Sequence, residues 1–497
     1  MSRRATQTAS PVLYQVHTRL LLSSLTQALG RPATLDDIPD DELSRLAGLG
    51  FNWLYLLGVW QTGPLGLQLA RTNRPLRHEI AQILPDVSLA DICSSCFAIT
   101  GYTVPADWGG NAALERLRQR LHRRGLRLML DFIPNHTAID HPWVHEHPEY
   151  YVPGLASELK NSPPTCLKLP TAAGIKILAH ARDPYFPPWS DTLQLNYAQP
   201  ALQAAMSDEL LKASGLCDGL RCDMAMLVMP EIFERTWGLA AQPFWPAAIA
   251  RVRQNRPDFI LLAEVYWDLE AALLRQGFDF AYDKRLYDSL RSQQARPLRE
   301  ILSAEPGYQA HLARFLENHD EPRAAKTFPP GLHQAAAVVA FFAPGLRFFH
   351  QGQLEGCQLR LPVQLCRAPQ EPPNSQLQSF YQRLLAALPV VQAQPGAWQL
   401  LQAIPAWEGD WTWESFIGYT WQSITGAHWL VVVNYSPHQS QSYIRLPISA
   451  ARGRLCRLHD WFSPAVFERQ GDELTDKGLY LDLPAWSYHL FEITISP

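Results

Sequence analysis

Eight short runs of apolar and β-branched residues recur along the first three-quarters of the chain: "VLYQVHTRLLL" from Val12, "FNWLYLLGVW" from Phe51, "LRLMLDFIPN" from Leu126, "CDGLRCDMA" from Cys217, "FILLAEVYW" from Phe259, "FDFAYD" from Phe278, "LARFLENHD" from Leu312 and "GLRFFHQG" from Gly345. Segments with helical spacing, such as "ALERLRQRLHRRG" from Ala113, lie between several of them. Near-continuous apolar strands alternating with helices predict a parallel sheet covered on both faces. Eight such units predict an α/β fold, a closed (β/α)8 TIM barrel, whose chemistry sits at the C-terminal ends of the strands.

Polar residues cluster at those ends: Asp131, Asn135 and His136; Arg221 and Asp223; Glu264; Asn318, His319 and Asp320. Caps and loop residues explain any one set, but four sets at one end point to a site. Asp223 and Glu264 are 41 residues apart, one barrel unit, whereas Asp131 and Asp223 are 92 apart. The excess predicts an insertion after the third strand, rich in Pro and Tyr, from "HPWVHEHPEYYVPG" through "DPYFPPWSDTLQLN". After residue 395 the pattern changes to short strands with turn signals, such as "HWLVVVNYS" and "SYHLFEI". The expected division is a barrel over 1–137 and 197–394, an inserted domain over 138–196, and an antiparallel β-sandwich over 395–497.

Composition narrows the partners. Hydrophobic residues at 47% and charged residues at 18% fit a compact protein, and a formal charge of −4 argues against a nucleic-acid partner. The one dense basic stretch, "RLRQRLHRRGLRL" from Arg116 to Leu128, reads as the exposed face of a helix. No run approaches the roughly 20 apolar residues that cross a bilayer. "MSRRATQTAS" lacks a following signal core, so a soluble, cytoplasmic protein without membrane contact is expected. The eight cysteines are scattered, which predicts reduced core thiols. Cys93 and Cys96 form a C-x-x-C, but no second pair or redox-fold pattern supports a metal or redox site there.

Arg221 and Asp223 point to one side if their run is a strand. Opposite charges on a buried face are costly unless paired and used. Hydrolysis of a glycosidic bond with retention needs a carboxylate nucleophile and a protonated carboxylic acid about 5–5.5 Å apart. Arg221 would keep Asp223 ionised as the nucleophile. Glu264 sits between "FILLA" and "VYW", where apolar surroundings favour the neutral form and suit a general acid and base. Asp320 would bind sugar hydroxyls and stabilise oxocarbenium charge, with His136 and His319 as donors. Metal binding is the rival use of Asp, Glu and His, although pairs at metal spacing are absent from the strand ends. Trp60, Phe97, Tyr102, Tyr266 and Trp267 would stack on the apolar faces of sugar rings.

These motifs, in this order, resemble glycoside hydrolase family 13, the α-amylase family. "DFIPNH" (Asp131 to His136), "GLRCD" (Gly219 to Asp223), "AEVYW" from Ala263 and "ENHD" (Glu317 to Asp320) look like its four conserved regions. "LQLN" (Leu193 to Asn196) is similar to the short region in the inserted domain. The resemblance implies Asp223 as nucleophile, Glu264 as acid and base, and Asp320 as transition-state stabiliser. It gives substrate binding to Arg221, His136, His319, Phe97, Tyr102, Arg323 and Trp267, and a supporting role to Asp131. Phe97 stands where many relatives carry a stacking tyrosine. Ala98 replaces the acidic residue that exo-acting α-glucosidases pair with the arginine of an "NHDxxR" motif, kept here as Arg323, which argues against a tight terminal-glucose pocket. Met224, Ala225 and Met226 replace the Lys-His pair common in calcium-binding amylases; Asn135 remains one candidate ligand for a bound calcium, and no cofactor is expected to be required.

The expected activity is a retaining α-glycosidase acting on α-glucans or malto-oligosaccharides by double displacement, with an oligosaccharide or polysaccharide as its partner. Two alternatives stand beside it: a transglycosylase or glucoside isomerase with the same residues, and a noncatalytic carbohydrate-binding barrel. The retention of all three acids argues against the last.

Overall fold

The computed structural model describes residues 10–161, 164–392, 396–423 and 427–496. The eight apolar runs form eight parallel strands: Val12–His17, Trp53–Leu57, Arg127–Phe132, Gly219–Cys222, Ile260–Ala263, Phe280–Tyr282, Leu312–Arg314 and Leu346–His350. Each pairs with its neighbours in sequence, and the first pairs with the eighth, closing the barrel. Nearly every strand residue is buried, because side chains fill the barrel on one face and helices cover the other.

The helix Gly110–His122 shows how the pattern works. Ala113, Leu114, Leu117 and Leu121 form its buried stripe. Its arginines lie outside that stripe and pair with acids of neighbouring segments: Arg116 with Asp36 at 2.7 Å, Arg118 with Asp218 at 2.6 Å and Arg120 with Asp40 at 2.8 Å. The basic run is thus a salt-bridged helix face.

The insertion after the third strand is a four-stranded antiparallel sheet in the order His136–Ala138, Trp189–Gln194, Gly174–Ala181, Cys166–Thr171. It begins at His136, four residues beyond Phe132 of the barrel, so its base is built into the mouth.

The C-terminal unit packs a six-stranded antiparallel sheet against a three-stranded one. Its central strand, His428–Asn434, is buried throughout. Trp429, Val431 and Val433 join the barrel core, while Leu430 and Val432 face the core of the sandwich. That two-sided burial explains the unbroken apolar run. Hydrogen bonds from Tyr419 Oη to Val338 O (3.0 Å) and from Trp421 Nε1 to Phe342 O (2.8 Å) tie the unit to the barrel helix Leu332–Phe342.

Candidate active site

Strand register assembles the site. Arg221 lies opposite Asp131 of the third strand and Leu262 of the fifth, and Cys222 opposite Phe132 and Ala263. One residue further, Asp223 and Glu264 leave adjacent strands side by side. Asp223 N donates to Phe132 O at 2.8 Å and Glu264 N to Cys222 O at 3.0 Å.

Arg221 is completely buried between these acids. Its Nη1 lies 2.7 Å from Asp223 Oδ1 and its Nη2 lies 2.8 Å from Glu264 Oε2. Asp131 Oδ1 is 3.7 Å from Nη1. The rings of Phe97 and Tyr282 approach the guanidinium at 5.3 and 5.9 Å, adding cation–π attraction. Asp131 is itself held by the Tyr55 hydroxyl and by Gly58 N–H at 2.8 Å. A buried cation with such partners is tolerated, where an unpaired one would cost several kcal/mol.

Glu264 is gripped on both oxygens. Oε2 accepts from Met224 N at 2.6 Å as well as facing Arg221, and Oε1 accepts from Tyr266 Oη at 2.9 Å. Met224 reaches that position with a φ of 42°, a left-handed conformation that costs a non-glycine residue on the order of 1–3 kcal/mol and is typical of functional sites. Burial pushes the Glu264 carboxyl up to about 8, against the attraction of Arg221, and the charges of Asp223 and Asp320 act in the same direction as burial. The Met224 N–H and the positive guanidinium both face Oε2, so the proton belongs on Oε1, beside Tyr266.

Across the mouth, Asp320 keeps 47% of its side chain open. His319 Nε2 lies 3.0 Å from Asp320 Oδ2, while its Nδ1 faces the Gln15 amide at 3.1 Å. The His319 ring also packs against Phe97, with centroids 5.3 Å apart. His136 is backed by Trp189 of the inserted sheet at 5.3 Å. Burial lowers the pKa of both histidines, so each is a neutral hydrogen-bonding group at pH 7. The three carboxylates, Arg221, both histidines and Phe97 therefore meet in one cleft, with Asp131 beneath.

Four expectations need correction. Tyr102 and Trp60 are buried walls and not sugar platforms: Tyr102 Oη bonds the Ile133 backbone, and Trp60 Nε1 donates to Asp131 O at 2.7 Å. Arg323 does not reach for substrate. Its guanidinium pairs with buried Glu317 at 2.9 Å and donates to Gln351 O at 2.8 Å, which braces the loop after the eighth strand. Asn135 is not free to ligate calcium. Gln194 Nε2 donates to Asn135 O and Oδ1, each at 3.0 Å, and to Leu195 O at 3.1 Å, so a neutral amide fills the place a cation would need. Trp267, with a φ of 63°, sits at the rim against Tyr185 of the insertion, their centroids 4.9 Å apart.

Sequence reasoning missed Gln15, Tyr55 and Tyr282, and it placed Tyr266 only as a stacking ring. Gln15 carried a signal as the one polar residue inside "VLYQV". Tyr266 follows Glu264 by two positions, the same spacing that pairs Arg221 with Asp223.

Residues 98–360, more than half of the chain, match the family model described as the α-amylase catalytic domain. Among curated proteins the chain is similar to α-amylase 3 of Dictyoglomus thermophilum, 23% identical over 54% of this chain and 55% of that protein. It is also similar to the trehalose synthase/amylase TreS of Mycobacterium tuberculosis, 28% identical over 44% of this chain and 41% of that protein. The chain thus spans about half the length of the curated relatives it matches. Among solved structures, the maltogenic α-amylase AmyB of Thermotoga neapolitana shares the fold with a TM-score of 0.69 at 18% identity, covering 98% of this chain and 99% of that one. An α-amylase of Lactobacillus plantarum does so with a TM-score of 0.67 at 20% identity, over 97% and 98% of the two chains. With the ordered motifs, the closed barrel and the convergent carboxylates already in place, the match establishes that this chain belongs to the α-amylase family, glycoside hydrolase family 13.

Proposed function

We propose that the protein cleaves α-glucosidic bonds in α-glucans or malto-oligosaccharides by a retaining double displacement. The observation that carries this reading is the single guanidinium of Arg221 shared by Asp223 and Glu264, which holds the two carboxyl groups close together beside the open cleft. In the first step Glu264 Oε1 gives its proton to the glycosidic oxygen as Asp223 Oδ2 attacks the anomeric carbon. The aglycone leaves and a glycosyl ester forms. In the second step Glu264, now ionised, takes a proton from water, and the resulting hydroxyl displaces Asp223. Asp320 binds sugar hydroxyls across the cleft and, with Asp223, faces the positive charge of the oxocarbenium-like transition state.

A second reading is transfer to a sugar hydroxyl in place of water, giving a transglycosylase or glucoside isomerase. The similarity to proteins named trehalose synthase supports it. Replacing Asp223 by Asn or Glu264 by Gln tests the chemistry, since hydrolysis of malto-oligosaccharides surviving either change would sink it. Chromatography of products at high acceptor concentration separates hydrolysis from transfer.

A further inference from the structure

The C-x-x-C of the sequence does not act as a pair. Cys96 is buried against Gly58, whereas Cys93 meets a cysteine far along the chain, Cys366. Ile92 and Leu365 form an isolated antiparallel bridge, flanked by hydrogen bonds from Cys93 N to Gln364 O and from Cys366 N to Asp91 O, each 2.8 Å. Alternation along the two segments places Cys93 and Cys366 on the same face of this bridge, and their side chains interact there.

Arg19 completes the group. Its Nη1 lies 3.2 Å from Cys93 Sγ, and the guanidinium is fixed by Ser94 O and by Thr62 Oγ1 at 3.2 Å. The groups whose charge supports this buried cation are the thiols of Cys93, Cys96 and Cys366. The neighbouring Cys366 thiol and the charge of Arg19 hold the Cys93 thiol below its ordinary range, and Cys366 is raised. Both cysteines are half-buried and line a cleft of about 650 Å³ with Trp60, Thr62 and Trp108, open to a small solute. Of the other six, five are buried, and burial raises the thiol of the half-buried Cys357.

We propose that Cys93 and Cys366 form a peroxide-sensitive dithiol, with Cys93 as the attacking thiolate and Cys366 as the resolving thiol. The Cys93 thiolate attacks one oxygen of a hydroperoxide, forming an S–O bond as the O–O bond breaks; the departing oxygen takes a proton and leaves as water or an alcohol. The Cys366 sulfur then displaces hydroxide from the sulfenic acid, an S–S bond forms, and a second water is released. The thiols lose two electrons and the peroxide gains them. The product covalently joins the loop that leads to Phe97 to the loop after the eighth strand, two segments that the bridge at Ile92, a small apolar cluster and ion pairs such as Arg367 with Asp91 hold together in the reduced protein.

The test is mass spectrometry of the full chain after graded hydrogen peroxide, digested without reduction. The expected result is loss of two hydrogens and a peptide pair joined through Cys93 and Cys366, reversed by dithiothreitol. C366S should stop at a Cys93 sulfenic acid captured by dimedone, and Cys93 should react at least about tenfold faster than Cys357. Cys366 lies outside the catalytic machinery, so unchanged activity of reduced C366S verifies its fold. First reaction at Cys357, a Cys93–Cys96 link, or an unresolved sulfenic acid in the unmodified chain would each overturn the proposal. The mass-spectrometric readouts do not depend on the catalytic reading.

Discussion

Arg221 Nη2 lies 2.8 Å from Glu264 Oε2, nearly as close as Nη1 lies to Asp223 Oδ1 at 2.7 Å. One planar cation therefore sets the spacing of both carboxyl groups while also opposing the burial that keeps Glu264 protonated. A lysine carries the same charge at a single point and cannot span the two. R221K is expected to lower kcat/KM by about 100- to 1,000-fold. Because Arg221 pulls the Glu264 pKa down, the alkaline limb of the pH profile should also move to higher pH. A rate loss with an unmoved limb would contradict the shared role.

The raised pKa of Glu264 has a signed consequence for stability. Its carboxyl binds its proton more tightly in the folded state, about 8 against the ordinary 4.5, so folding is penalised as pH rises from the lower value to the upper one. E264Q removes that penalty while abolishing acid catalysis. The apparent Tm should rise on the order of 2 °C at pH 8, with no comparable gain near pH 4. Thermal scans at the two pH values check it.

At the rim, Tyr185 is 60% exposed yet held in place: Asp183 Oδ1 accepts from the backbone of Tyr185 and Phe186, and Trp267 packs edge-on against the ring. An ordered exposed ring beside the cleft suits a sugar distant from the cleaved bond. Y185A should raise KM about fivefold for long malto-oligosaccharides, the worth of one aromatic contact near 1 kcal/mol, with kcat and the KM for maltotriose little changed. Steady-state kinetics on both lengths decides it, and an equal loss on both would point to disruption of the site itself.

The barrel was legible because each strand is an apolar run of its own, and the carboxylates were legible because charges at strand ends stand out against that background. The partners of those charges were not. Met224 contributes a backbone N–H, which no side-chain identity announces, and Gln15 acts through the His319 ring in the loop after the seventh strand. Arg323 carried a substrate motif but met Glu317, an acid within its own loop that only the folded turn brings to it. In the same way Cys93 found its partner through strand pairing and not through the nearby Cys96.

Gln194 in place of a cation predicts indifference to metal removal. Chelation by EDTA should leave the apparent Tm unchanged. Q194A should lower stability by about 1–3 kcal/mol, because the Asn135 oxygens lose their buried donor. Calorimetry with and without chelator reads both, and a chelator-dependent fall in Tm would contradict the reading.

The central claim is that Asp223 forms a covalent bond to the sugar while Glu264 handles the proton. Incubating E264Q with a 5-fluoro-α-glucosyl fluoride, whose leaving group needs no acid, and mapping the adduct by peptide mass spectrometry tests it most directly. The account predicts a single fluoroglucosyl ester on Asp223, absent in D223N. An ester on another residue, or turnover of the reagent with no ester formed, would contradict it.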